Sequence, residues 1–125
     1  WCNSTYRNAI PATLRPIFKQ FTTYAANGSG SASTASSDYF ALFSEKEIFG
    51  FMHNANSSAE SQNSQLTWFK TSSNRTKRMN GSASYWWERS PYSGSSYHFC
   101  LVTSRGSADW HNAHSSYGLA PFGCI

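Results

Sequence analysis

The sequence predicts an α+β domain, helix first and sheet last. Three observations carry this: helical apolar spacing is confined to the first half, short strand-like runs crowd the last third, and the core material is aromatic. Hydrophobic residues make up 39% and Phe, Trp and Tyr 17%, against 13% charged. That balance excludes disorder and rests the core on rings more than on Leu and Val. A chain of 125 residues fits one domain, 1–125, able to bury a single core without metals or many disulfides.

At the start of the chain, Tyr6, Ile10, Leu14, Ile17 and Phe18 recur at helical intervals. Pro11 and Pro16 lack the N–H that a helix interior needs, so two short helices with a kinked join are expected. Residues Gly28–Ser37 are almost wholly Gly, Ser, Ala and Thr and read as an exposed loop. Tyr39–Phe43 reads as a buried strand. Ser44, three residues before Glu47, is a capping-box signature that opens a helical turn through Ile48 and Phe49, stopped by Gly50. Ser57–Ser73, with Leu66, Trp68 and Phe69 in a polar background, reads as a surface helix, and Asn74–Arg78 as a solvated basic loop. Ser84–Trp87, Tyr97–Thr103 and Ser107–Trp110 read as strands, the last two joined by the turn Ser104-Arg105-Gly106, and Leu119–Ile125 closes the chain as another.

Several function classes fall away. The net charge of +4 arises from 10 Lys and Arg against 6 Asp and Glu, a scarcity of acids rather than a basic surface, so no nucleic-acid partner is expected. The apolar runs are a few residues long, so no membrane insertion is expected. The chain opens at Trp1 without Met or a basic-then-apolar leader and reads as the C-terminal fragment of a longer protein. Cys2, Cys100 and Cys124 have apolar neighbours and read as buried thiols, with a single Cys100–Cys124 bridge left open as the alternative. His111 and His114 stand three apart, with His98 upstream, but nothing completes a zinc set, so they read as surface histidines. Asp38 and Asp109 alone do not supply a calcium cage. No cofactor, no metal and no enzymatic activity are expected: the thiols lack an activating charge, and a Ser-His-Asp set among 23 serines is coincidence by default.

Five blocks of the chain carry a resemblance. Leu14-Arg15-Pro16-Ile17, Leu42-Phe43-Ser44-Glu45-Lys46-Glu47-Ile48-Phe49-Gly50, Tyr85-Trp86-Trp87-Glu88-Arg89-Ser90-Pro91, Phe99-Cys100-Leu101-Val102 with Gly106-Ser107-Ala108, and Tyr117-Gly118-Leu119-Ala120-Pro121 follow one another in order. They resemble the "LRPII", "FLLSE.EVFG" and "WWLRSP … FC.V … GSA … GVAPGFC" framework of a bacterial and phage family of DUF6273-like domains, the C-type-lectin-like variable proteins of diversity-generating retroelements. The resemblance implies a C-type-lectin-like fold of the formylglycine-generating-enzyme branch. It implies a ligand-binding scaffold whose contact residues an error-prone reverse transcriptase rewrites at adenines. Two positions depart from the framework: Glu88 stands where the family has Leu, and Phe122-Gly123 reverses the usual Gly-Phe order.

Adenine mutagenesis of AAY codons never yields Lys, Glu, Gln, Met or Trp. The first 91 residues hold 13 of Lys, Glu, Gln and Met, and the last 34 hold none. The tail is rich instead in Ser, Gly and Tyr, residues that antibody paratopes favour. Carried onto the gaps between framework blocks, the resemblance implies ligand contacts at Ser96, Tyr97, His98, Leu101, Thr103, Ser104, Arg105, Ser107, Asp109, Trp110, His111, Asn112, His114, Ser115 and Tyr117. Trp110 lies outside that codon alphabet. Trp86, Trp87, Pro91, Phe99, Gly106, Gly118 and Pro121 would be fixed frame. The expected function is a hypervariable receptor-binding or surface-display domain, extracellular on a bacterial cell or phage virion, with a protein or glycan as partner. The alternative is an invariant carbohydrate-binding or structural module of a bacterial surface protein.

Overall fold

The computed structural model describes residues 1–125 and is mixed α+β, mostly strand with a few small helices. The N-terminal segment begins with a π-helical turn, Cys2–Tyr6, that runs into α1 (Arg7–Ala9), and a 3₁₀ turn follows at Arg15–Ile17. The prolines divide it as expected. They also undo the apolar face, because the intervals no longer share one axis: Leu14 and Ile17 are exposed, while Tyr6 and Phe18 pack against Phe40 at ring separations of 5.3 and 4.6 Å.

Strands β1 (Phe21–Ala26) and β2 (Ser33–Asp38) form an antiparallel hairpin. This corrects the loop expected over Gly28–Ser37, of which only the turn at residues 27–32 remains. Thr23 donates to Asp38 Oδ2 at 2.6 Å and Asn3 Nδ2 to Asp38 Oδ1 at 2.6 Å, so side-chain hydrogen bonds hold the hairpin where apolar burial is lacking. Tyr39–Phe43 is not a strand. Phe40 and Ala41 are buried as expected, but the segment makes one bridge, Ala41 to Phe122, and then turns into α2 (Glu45–Phe49). The capping box is complete: Ser44 accepts from the Glu47 N–H, Glu47 Oε2 accepts from the Ser44 N–H, and Gly50 ends the helix with φ of 86°.

The helix expected over Ser57–Ser73 is absent. Turns and two 3₁₀ segments, Thr67–Lys70 and Ser72–Arg75, occupy the region. Polar anchors hold it from within, Asn63 Nδ2 donating to Ser44 Oγ at 3.1 Å and Glu60 accepting from Ser90, beside the buried Ala59 and Phe69. The basic run is not a free loop either. Arg75 lies over the Phe49 ring at 5.0 Å, and Lys77 over Phe69 at 5.3 Å and Trp86 at 5.8 Å. Lys77 opens β3 (Lys77–Met79), which pairs with β4 (Ser82–Ser84).

The tail builds the main sheet. Strands β5 (Trp86–Pro91), β6 (His98–Val102), β7 (Ala108–Asn112) and β8 (Gly118–Leu119) run in the order β7-β6-β5-β8, antiparallel except for the parallel β5–β8 pair. The closing strand is much shorter than Leu119–Ile125; beyond it Phe122 and Cys124 make single bridges to Ala41 and Lys19. The reversed Phe-Gly pair is accommodated. Phe122 stacks on Phe43 at 4.3 Å and 9°, and a side chain on Gly123 would stand 2.7 Å from the Phe40 ring. All three cysteines are free. Cys100 is buried as expected, but Cys2 is half-buried and Cys124 exposed, so neither the three buried thiols nor the Cys100–Cys124 bridge is found.

The core joins α2 to this sheet through Ile48, Phe49, Phe69, Trp86 and Val102, with Phe43, Ala108 and Ala120 packed around them. Successive strand residues face opposite ways, so Trp86 takes the core and Trp87 the other face, half-buried. Of the other frame positions Pro91 and Gly106 are buried, while Phe99, Gly118 and Pro121 are half-buried.

Candidate functional site

The β6–β7 hairpin and the loop after it carry most of the residues the sequence singled out. In the register His98 faces Asn112, Phe99 faces His111, Cys100 faces Trp110 and Leu101 faces Asp109. Ser96, Tyr97, Arg105, Ser107, Asp109, Trp110, His111 and His114 are exposed; His98, Thr103, Ser104, Asn112, Ser115 and Tyr117 are half-buried. Leu101 is the exception. At 1% exposure, between Trp87 on β5 and Asp109 on β7, it is core and cannot touch a ligand.

Two aromatic groups stand on the hairpin, one on each face, since Trp110 and His111 are successive residues of β7. Trp110 stacks on Tyr92 at 4.5 Å and 8°, His98 meets Trp110 edge-on at 4.8 Å, and Tyr97 leans on His98 at 4.8 Å. Tyr117 packs against Tyr85 at 5.3 Å, Trp87 at 5.2 Å and His111 at 5.5 Å, while His111 Nδ1 and Ser115 Oγ share a 2.7 Å hydrogen bond. The histidines are therefore engaged separately, by rings and by serine. Trp110 behaves as frame, held by its stack, while still presenting an edge to solvent.

One recess borders the Tyr117 group at Trp87, and a second takes in the hairpin turn at Arg105–Ser107. The first, of about 410 Å³, lies among Leu42, Trp87, Phe99, Ala113 and Leu119, with Glu88 and Arg89 in its wall. The second, of about 460 Å³, has Arg75, Arg105 and His53 on a wall containing Phe49 and Phe51, with no acid lining it. Sequence reasoning missed Tyr92 and Ala113, which belong to the same AAY-accessible alphabet, and missed Trp87 and Phe99, which it read only as frame.

Beneath the sheet lies a polar core that the sequence did not reveal. Glu45, Glu60 and Glu88 are all buried. Glu88 and Ser90 stand two and four places after Trp86 and share its inner, alternating positions on β5. The strand is irregular there: between Trp87 and Pro91 four residue steps on β5 oppose two on β6, from Leu101 to Phe99. Glu45 Oε2 accepts from the His53, Asn54 and Ala55 N–H groups and its Oε1 from the Asn54 amide at 3.0 Å. The Glu45 N–H donates to Ser90 Oγ at 2.9 Å, and Ser90 donates to Glu60 Oε2 at 2.8 Å. Arg89 forms a two-pronged pair with Glu47, at 2.7 and 2.6 Å, and donates to the Leu42 and Tyr24 carbonyls. Neither carboxylate oxygen of Glu88 has a partner. Burial, with the Glu45 and Glu60 charges adding to it, holds the Glu88 carboxyl well above the usual carboxylate range.

Burial also pushes the Glu60 carboxyl up to about 7; the Ser90 hydrogen bond and the Arg89 charge oppose the rise, and the Glu47 charge adds to it. Its folded value lies above its unfolded one, so the native state takes up a proton there. The stability this proton brings is complete below about pH 4.5 and is lost as pH rises through about 7. Urea unfolding is expected to show the domain more stable at about pH 5 than at about pH 8, Glu60 contributing up to about 3 kcal/mol and the raised Glu88 carboxyl adding in the same sense. Glu60→Gln should flatten that slope, and an unchanged slope would assign it to other groups.

The fold and site together define a small α+β domain with a displayed aromatic and polar hairpin over an acid-bearing core. Its whole length, residues 1–125, matches the family described as Domain of unknown function (DUF6273), and the chain belongs to that family. No curated protein and no solved structure matches it.

Proposed function

We propose that this domain is a hypervariable ligand-binding module, diversified by a retroelement and displayed extracellularly on a bacterial cell or phage virion. In this reading the fold is C-type-lectin-like, of the formylglycine-generating-enzyme and retroelement variable-protein branch. The module binds without catalysing. The observation that carries it is the coincidence of alphabet and placement: fourteen of the fifteen implied contact positions reach solvent, in a tail of 34 residues without Lys, Glu, Gln or Met. Tyr97 and the stacked Tyr92–Trp110 pair supply stiff amphipathic contact area at low entropic cost, and the serines, Asn112 and Asp109 supply adaptable hydrogen bonding.

Genomic sequence around the coding region tests it. A near-copy of the tail's coding sequence, differing only at adenines and lying beside a reverse-transcriptase gene, is the expected result; its absence would sink the proposal. The exposed rings also suit stacking on sugars, which favours the second reading, an invariant carbohydrate-binding module. That reading requires the tail to be identical in independent isolates.

Display without structural duty has a stability signature. Tyr97→Ala, Asp109→Ala and His114→Ala are each expected to shift unfolding free energy by no more than about 0.5 kcal/mol, whereas Leu101→Ala should cost about 2–5 kcal/mol. Thermal melts of the four variants separate the two groups, and equal losses would contradict the division.

A further inference from the structure

We propose that Glu45, Glu88 and Cys100 form a buried site for one divalent transition-metal ion of the zinc type. One carboxylate oxygen from each glutamate and the Cys100 Sγ lie within 4.8 Å of one another, and all three residues are buried. The sequence led to no metal because it offered only histidines at close spacing. The fold supplies a different set, from α2, β5 and the middle of β6.

Glu88 points to a ligand independently of the cluster. It is 2% exposed, yet both its oxygens are without a hydrogen-bond partner. A protonated Glu88 would leave a buried hydroxyl unpaired, which costs free energy that a leucine at this framework position would not. Zinc binds thiolate sulfur at about 2.3 Å and carboxylate oxygen at about 2.0–2.2 Å, so ligand atoms around one ion sit roughly 3–4 Å apart. The observed spacing contracts to that with side-chain shifts of about 1 Å or less. The thiolate selects a soft or borderline ion over calcium or magnesium.

The remaining groups fit the same assignment. Glu45 is fixed by the His53, Asn54 and Ala55 N–H groups at Oε2, and its Oε1, which accepts from the Asn54 N–H and side-chain amide, takes the ion in exchange for that amide. The recess beside Trp87 and Phe99 has Glu88 in its wall. Binding forms metal–sulfur and metal–oxygen bonds and releases the Cys100 thiol proton and the Glu88 carboxyl proton to solvent. Burial and the surrounding glutamates raise the Cys100 thiol far above its ordinary value, so without a cation it stays protonated and inert.

Chelator-treated protein titrated with Co²⁺ and Zn²⁺ decides the matter. One equivalent of Co²⁺ should bind with a thiolate-to-cobalt charge-transfer band, and Zn²⁺ should displace it and raise Tm. Cys100→Ser should abolish the band, Glu88→Gln should weaken binding more than about 100-fold, and Cys2→Ser and Cys124→Ser should leave both signals intact. If Cys100→Ser does not fold, Glu88→Leu serves, folding without the ion and losing the Zn²⁺ effect on Tm. No band in the wild-type protein, a band surviving in Cys100→Ser, or unweakened binding by Glu88→Gln overturns the proposal.

Discussion

Trp86→Ala is expected to cost about 3–5 kcal/mol, the range for deleting a buried aromatic side chain. That is a large part of the roughly 5–15 kcal/mol by which a domain of this size is stable. Trp86 lies at the centre of the core, stacked with Phe69 at 6.2 Å and edge-on to Phe43 at 6.1 Å. Its indole N–H donates to the Arg75 carbonyl at 2.9 Å, so alanine leaves both a cavity and an unpaired acceptor. Trp87→Ala, half-buried on the opposite face, should cost clearly less. Urea denaturation of both variants measures the difference, and a larger loss at Trp87 would place the core on the wrong face of β5.

Arg89→Ala should be of similar size, about 3–5 kcal/mol, because it removes one partner of a nearly buried ion pair and strands the other. The two side chains are 11% and 12% exposed. Three acceptors lose a donor together: Glu47, which keeps the Ser44 N–H, the Leu42 carbonyl, and the Tyr24 carbonyl, which keeps Asn63. Glu47 is also half of the capping box, so its stranded charge loosens the start of α2. A double-mutant cycle with Glu47→Gln should give a coupling energy of at least about 1 kcal/mol. A coupling near zero would mean that Arg89 works through the carbonyls alone.

What the sequence revealed was local. The Ser44–Glu47 box with Gly50 behind it reads directly because every part lies within seven residues, and the strands of the tail read because alternation and turns are short-range signals. The β1–β2 hairpin escaped notice because β2 is Ser-Thr-Ala-Ser-Ser-Asp, without an apolar face to alternate, and is held by pairing and by Asp38 instead. The irregular stretch before Phe69 was read as a helix because Glu60 and Asn63 were counted as surface, when their partners on β5 and at Ser44 draw them inward. The displayed surface was largely legible, since composition marks it, with Leu101 misplaced because a codon alphabet carries no information on burial. The acid cluster was illegible: Glu88 shares the inner alternating positions of β5 with Trp86, but nothing local announces that Glu45 of α2 packs against it.

The polar core also bears on how the chain reaches this structure. Its bonds join residues far apart in sequence, 42 positions for Arg89–Glu47, 45 for Ser90–Glu45 and 65 for Arg89–Tyr24. Such contacts return nothing until a long loop has closed, and topologies built on them fold more slowly than those built on local helices. The meeting of β5 with α2 is thus expected to set the folding rate, while the exposed hairpin, closed by a five-residue turn at residues 103–107, is a local structure expected to form without it.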